Sequence, residues 1–212
     1  NEVVFSSFEF STTYLSDWVH VRLLDIEFKG KSTVVTSLPN ERLAIKGDGY
    51  ELTFTSYVNT SLGGNYNFTQ HSSISVDVTT PIPWTDFEED FQKPLLDLVQ
   101  FGSLFLNSVT FQNIPQGGNT LKMISAGRFE QITRAKDFGI HKSLFLLSDL
   151  GTDAPAFINN WLDFYKRFRH IFSLYFDSAH IGFQFPVSKF LNIIQAVESY
   201  HAERKETPFV AG

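Results

Sequence analysis

The 212-residue chain carries 17 Lys and Arg against 23 Asp and Glu, a formal net charge of −6. Duplex-binding domains normally have a surplus of basic residues that displaces counterions from phosphates, so this balance argues against nucleic acid as a partner. The absence of cysteine excludes disulfides and thiolate metal sites and fits a cytoplasmic protein. No apolar run is long enough to cross a membrane, and the 42% hydrophobic content predicts a folded globular chain.

Strand-forming residues recur in short runs through the first part of the chain. The Gly47-Asp-Gly49 sequence predicts a tight turn, and Tyr50 to Tyr57 alternates polar and apolar residues. Because no helical crossover separates these runs, the pattern favours an antiparallel sandwich or a partly open barrel. The predicted strands are 3–10, 19–28, 33–36, 43–46, 50–57 and 73–78, and later 108–114, 120–125 and 144–147.

A helix interrupts the strands near residues 84–106. Thr85 and Glu88 have the spacing of a capping box, and Pro94 is expected to kink the helix or divide it in two. The helix is predicted from residues near helical spacing, namely Phe87, Phe91, Leu95, Leu98 and either Phe101 or Gly102.

Two further helices are predicted near the C-terminus, one from about Asp153 and one from Pro186 to about His201. The second has two apolar flanks, which need packing partners on more than one side. The flanks are Phe190, Leu191, Ile194 and Val197, and Ile193 with Tyr200. We therefore predict an α+β fold with a β-rich domain over 1–151, an inserted helix, and a helical segment over 152–212. That segment is expected to lead into a further domain of a larger protein.

Three segments carry a family resemblance through their order along the chain. They are Tyr14-Leu-Ser-Asp-Trp18, Phe157-Ile-Asn-Asn-Trp161, and the last helix with its Gln195-Ala-x-Glu198-x-x-His201 pattern. Together they resemble the N-terminal region of ApeA-like bacterial defence proteins, which belong to the HEPN (higher eukaryote and prokaryote nucleotide-binding) group. In that family, the helix with the Gln-Ala-x-Glu-x-x-His pattern introduces the nuclease domain.

The resemblance implies a function and a set of partners. The complete protein would be a HEPN ribonuclease that stops translation in a phage-infected cell, and this chain would be its non-catalytic sensing or regulatory region. The implied partners are its own C-terminal HEPN-like domain, a phage-derived trigger and, in the full-length protein, a second copy of itself. No cofactor is implied.

Arg134 and His141 match the loose Arg-x(4–6)-His spacing of HEPN ribonucleases. In that chemistry a histidine moves protons at the ribose 2′-hydroxyl and an arginine stabilises the charge on the phosphorane. Gly139 lies between them and weakens the helix that the family uses to hold the pair. Because the family places its catalytic pair further downstream, we predict no catalytic residue in this chain.

A basic cluster lies within the first of the two C-terminal helices. With Phe168 as a stacking platform, it would suit contact with a nucleotide or phosphate. The alternative is a solvated helix face on which Arg167 pairs with Asp163 four residues earlier. The cluster consists of Lys166, Arg167, Arg169 and His170.

Glu198 and His201 lie on one face of the last helix, as in half of a di-iron site, but the sequence offers no second half. No metal site is therefore predicted. The residues are more simply explained as contacts to a following domain, and we assign a docking role to Ile193, Gln195, Glu198, Tyr200 and His201.

The alternative function is a stand-alone β-sandwich that binds a ligand such as a carbohydrate. Sugar rings pack on aromatic faces, so exposed Trp18, Trp84 or tyrosine side chains along a groove would support it.

Overall fold

The computed structural model describes residues 3–30, 32–63, 65–116, 119–122, 139–180 and 186–206. The chain forms two compact units, Asn1–Asn159 and Asn160–Gly212. The first contains all of the strands in the described part of the chain, and the second is helical.

A six-stranded antiparallel sheet forms the body of the first unit. The strand order is β4-β5-β6-β1-β7-β8, and the sheet stays open. Two further strands form a separate hairpin, β2 (Leu24–Lys29) and β3 (Ser32–Ser37). The strands of the large sheet are β1 (Val4–Thr12), β4 (Glu41–Gly47), β5 (Tyr50–Gly63), β6 (Asn65–Pro83), β7 (Val109–Gln116) and β8 (Asn119–Lys122).

One face of the sheet forms the core. Because side chains alternate along a strand, the register brings the apolar residues of neighbouring strands together on this face. In one row Phe10 lies opposite Ile74, which lies opposite Phe54, and all three are buried. A parallel row consists of Phe8, Val76, Leu52 and Ile45, which are also buried.

Three helices pack on this face: α1 (Leu15–Val19), α2 (Trp84–Phe87) and α3 (Lys93–Ser103). Phe87 of α2 stacks on Phe8 with ring centroids 4.0 Å apart. Trp18 of α1 is fully buried and lies 6.4 Å from the ring of Phe54. The phenylalanine-rich composition is thus used, in this unit, to fill the space between sheet and helices.

The inserted helix is confirmed, with two differences in detail. It begins at Trp84 after Pro83, with no side-chain cap, so the predicted capping box at Thr85 is wrong. A π-helical turn, Glu88–Gln92, separates α2 from α3. Pro94 is the second residue of α3, and the wider turn before it accommodates a residue that has no N–H to donate and whose ring would crowd the preceding carbonyl.

Two strand predictions fail. Residues 15–19 form helix α1, so the strand predicted to begin at residue 19 begins at Leu24. Residues 144–147 contain no strand, and a 3-10 segment, Leu147–Asp153, follows. The predicted strand 120–125 corresponds to β8, whose described part ends at Lys122.

The C-terminal helices are α4 (Ala154–Arg167), α5 (Arg169–His180) and α6 (Pro186–Glu206). α4 and α5 together are the first predicted helix, interrupted at Phe168, and α6 is the second. The α+β class is therefore confirmed, with an open antiparallel sheet, an inserted helix and a helical C-terminal segment.

Candidate functional site

The basic cluster lies at the junction between α4 and α5. Lys166 and Arg167 end α4, where positive charge is favoured by the helix dipole, and Arg169 and His170 begin α5. Lys166, Arg167 and His170 are exposed, whereas Arg169 is half-buried. The cluster therefore presents the side chains of Lys166, Arg167 and His170 to solvent.

Phe168, in the middle of this junction, is part of an aromatic core. It is only 6% exposed, and its ring lies 4.7 Å from that of Phe164 and 5.6 Å from that of Tyr200. The Arg167 guanidinium carbon lies 5.1 Å from the centroid of the Phe168 ring. A nucleobase would have to displace these neighbours to stack on Phe168, so the burial of this ring argues against a stacking platform and leaves the phosphate contact and the solvated helix face as the two interpretations of the cluster.

An ion pair connects the junction to α6. The Nε2 atom of His170 lies 2.8 Å from Oε1 of Glu203, and the two side chains are 55% and 35% exposed. Ion pairs this exposed to water contribute about 0–1 kcal/mol to stability. The pair therefore adds little to the stability of the second unit.

The two apolar flanks of α6 have different surroundings. Tyr200 is half-buried because it packs edge-on against Phe164 and Phe168. Ile193, on the same flank as Tyr200, is 41% exposed. On the other flank Phe190 is 61% exposed and Leu191 and Val197 are each 51% exposed, whereas Ile194 is half-buried. We call Phe190, Leu191 and Val197 the α6 stripe.

The other four residues assigned a docking role are exposed. Ile193 is 41% exposed, and Gln195, Glu198 and His201 are exposed along the helix. The structure thus presents four of the five predicted residues to solvent and packs the fifth, Tyr200, within the second unit.

The candidate catalytic pair is only half described. Arg134 lies outside the described residues, and His141 is exposed in a short 3-10 turn, Ile140–Lys142. The described residues contain no group of three or more His, Cys, Asp or Glu side chains that could hold a metal ion. None of the described helices has the length and apolar character needed to cross a bilayer.

The tryptophans proposed as a sugar platform have structural roles. Trp18 is fully buried, so it lines no groove. Trp84 is half-buried against the rings of Phe87 and Phe8, with centroids 5.0 and 6.0 Å away.

Comparison with known proteins identifies the family. The model of the ApeA N-terminal domain 1 matches residues 1–161, which include the whole first unit. The chain belongs to the ApeA N-terminal domain family. The ApeA domain is part of an anti-phage defence protein, and its name places it within a larger multi-domain chain. Neither the curated proteins nor the solved structures give a match.

Sequence reasoning missed one feature of this ApeA domain, the exposure of the β2–β3 hairpin. Its Phe28 is 80% and its Ile26 is 50% exposed. The alternation of apolar residues at 24, 26 and 28 predicted the strand, but alternation reveals only that one face is apolar. Whether that face is covered depends on packing partners that lie elsewhere in the chain.

Proposed function

We propose that this chain is the non-catalytic sensing and regulatory region of a bacterial anti-phage HEPN ribonuclease. The observation that carries the proposal is the match of the ApeA N-terminal domain over residues 1–161. The resemblance of the α6 pattern to the helix that introduces the nuclease domain supports the same function. The trigger would be a phage-derived molecule, and the ribonuclease activity would belong to the HEPN-like domain.

The α6 stripe supports a specific docking partner, the protein's own C-terminal HEPN-like domain. Fully burying a large apolar side chain contributes about 1.5–3 kcal/mol relative to leaving it exposed. Phe190, Leu191 and Val197 are each at least half exposed, so covering them would favour association. The exposed polar residues Gln195, Glu198 and His201 would then form the rim of that contact.

The catalytic part of the proposal is tested by RNA cleavage. The purified chain is expected to leave tRNA and other RNAs intact under conditions in which the full-length protein cleaves them. His141→Ala is the matched variant, because His141 is the exposed histidine of the Arg-x(4–6)-His pattern. Cleavage by this chain that disappears in His141→Ala would place the activity here and overturn the proposal.

The docking part is tested by expressing the HEPN-like domain separately and measuring its affinity for this chain by titration calorimetry. Val197→Glu and Leu191→Glu are expected to weaken binding by about tenfold or more, because each puts a charge into an apolar contact. Ala202→Glu adds the same charge at another exposed position of α6 and is the control. Equal affinity for all three variants would show that the α6 stripe is not the docking surface.

A further inference from the structure

The β2–β3 hairpin stands apart from the large sheet and has its own ladder. Its register pairs Leu24 with Ser37 and Lys29 with Ser32 without a bulge. In the described part of the chain, neither strand pairs with any other. A two-stranded ribbon is only marginally stable in water, whereas three or more strands with an apolar face are stable. The hairpin therefore has edges on which a further strand can pair, and pairing with one would stabilise it.

The two faces of the hairpin differ in polarity. Because side chains alternate along each strand and directly opposed residues share a face, Ile26 and Val35 lie side by side, and Phe28 lies on the same face. The other face carries Asp25 and Glu27 of β2 together with Val34 of β3, which lies opposite Glu27. One face is thus apolar and largely exposed to solvent.

The two outer edges differ as well. The strand β2 carries Asp25, Glu27 and Lys29, and charged side chains on an edge oppose pairing with another strand. The strand β3 reads Ser32-Thr-Val-Val-Thr-Ser37, with no charge, no proline and no bulge. Its residues are β-branched or small, which suits strand pairing. Of the two edges of the hairpin, as far as its residues are described, only the β3 edge lacks the usual protection.

We infer that β3 is the surface on which a second copy of this chain pairs, antiparallel, about a two-fold axis through Val35. A two-fold axis perpendicular to the sheet keeps the apolar faces of both copies on one side. The result is a four-stranded sheet in the order β2-β3-β3-β2. The uncharged β3 sequence opposes no like charges when it pairs with itself, which is why a second copy is the fitting occupant.

The register follows from the cross-strand rows. With Val35 opposite Val35 of the second copy, one row across the four strands reads Ile26, Val35, Val35 and Ile26. Cross-strand β-branched and aromatic pairs on one face stabilise a sheet by about 0.2–1 kcal/mol each. The same register places Val34 opposite Thr36 of the second copy, two β-branched side chains of similar size, and Thr33 opposite Ser37, two hydroxyl side chains.

Assembly stops at two copies because the outer strands of the four-stranded sheet are then the charged β2 strands. This distinguishes a closed dimer from the open-ended stacking that an unprotected edge would otherwise allow. The contact is small, so the association is expected to be weak and visible only at high protein concentration.

A single cysteine tests the register, since the chain has none of its own. Directly opposed residues of antiparallel strands have Cα atoms about 4.5–5.5 Å apart, within the range that a disulfide spans. Val35→Cys is therefore expected to form a covalent dimer under mild oxidation. In the same register the two copies of residue 34 are diagonal neighbours about 7–8 Å apart, so Val34→Cys is expected to remain largely monomeric. Equal or slower crosslinking of Val35→Cys than of Val34→Cys would overturn the register.

The dimer itself is tested by sedimentation equilibrium of the 212-residue chain over a range of concentrations. The apparent mass is expected to rise with concentration, and Val35→Lys is expected to weaken association by about tenfold because it sets two like charges opposite each other. Thr69→Lys, which adds the same charge at an exposed position of β6, is the control and should leave this association unchanged. A chain that stays monomeric throughout, or an association that Val35→Lys leaves intact, would overturn the proposal.

Discussion

Phe87 and Phe28 belong to the same unit and have opposite surroundings. Phe87 is fully buried and stacks on Phe8, whereas Phe28 on the β2–β3 hairpin is 80% exposed. The sheet body is covered by helices α1 to α3, and in the described part of the chain nothing equivalent covers the hairpin. Phe87 therefore stabilises the fold by burial, whereas the apolar face of the hairpin that carries Phe28 is free to contact another molecule.

The largest expected effect is that of Phe87→Ala, which removes a ring from the centre of the sheet–helix core. Truncation of a buried phenylalanine costs about 3–5 kcal/mol through lost transfer energy and the cavity left behind. The measurement is the free energy of unfolding from urea titration, followed by near-UV circular dichroism. A cost below about 1 kcal/mol would show that the helices do not form the core with the sheet.

Gly102→Ala tests the packing of α3 against α1, because Gly102 of α3 lies against Trp18 of α1. A Cβ atom at residue 102 would lie 2.8 Å from Cδ1 of Trp18 and closer still to its Nε1. Alanine favours an exposed helix over glycine by about 1 kcal/mol, but overpacking of this kind typically costs about 1–3 kcal/mol. Net destabilisation is expected in thermal unfolding. Combining it with Trp18→Phe should cost less than the sum of the two single changes, because the clash is with the indole.

A smaller effect is expected where α4 contacts the sheet body. Asn159 accepts a hydrogen bond from the Tyr50 hydroxyl at 2.9 Å and donates one to the Lys46 carbonyl at 3.0 Å. Asn159→Ala should cost about 1 kcal/mol of unfolding free energy. Asn160→Ala is the matched control, because Asn160 is exposed and its side chain has no hydrogen bond within the described residues. Equal costs for the two variants would mean that the Asn159 hydrogen bonds do not stabilise the chain.

Phe28→Ala should have the smallest effect on stability. An exposed side chain away from the core changes the free energy of unfolding by less than about 0.5 kcal/mol in most cases. Urea titration at low protein concentration, where the chain is monomeric, makes this measurement. A cost similar to that of Phe87→Ala would indicate that the apolar face of the hairpin is covered in the free monomer.

Much of the fold was predictable from local pattern. Phe87, Phe91, Leu95 and Leu98 are buried, as the helical period required, and of the two alternatives for the last position Gly102 is buried whereas Phe101 is 36% exposed. The turn at Gly47 to Gly49 joins β4 to β5 with φ +77° at Gly49. Helix α1 was not predictable, because five residues are too few for a periodic signal. Its Leu15, Trp18 and Val19 are buried, so packing against the rest of the unit determines its conformation.

The candidate site was predictable in part. The sequence identified two apolar flanks on α6, but the partial burial of Tyr200 depends on Phe164 and Phe168, which lie far away in the chain. The contact between His170 and Glu203 depends on the same packing. Sequence spacing describes one helix at a time, so neither contact had a local signal.

The position of β1 in the sheet has a consequence for synthesis on the ribosome. This strand lies between β6 and β7, and its Phe10 pairs with Ile74 on one side and Gln112 on the other. At about 5–20 residues per second, the nascent chain needs roughly 3–20 s to produce these partners after Phe10 has been made. During that interval Phe8 and Phe10 have no neighbouring strand to pair with, whereas β5 and β6 are close together in the sequence and are able to pair as soon as both emerge. β1, at the centre of the finished sheet, is thus the strand that stays unpaired longest during synthesis. Its apolar side chains would be accessible to a chaperone during that time.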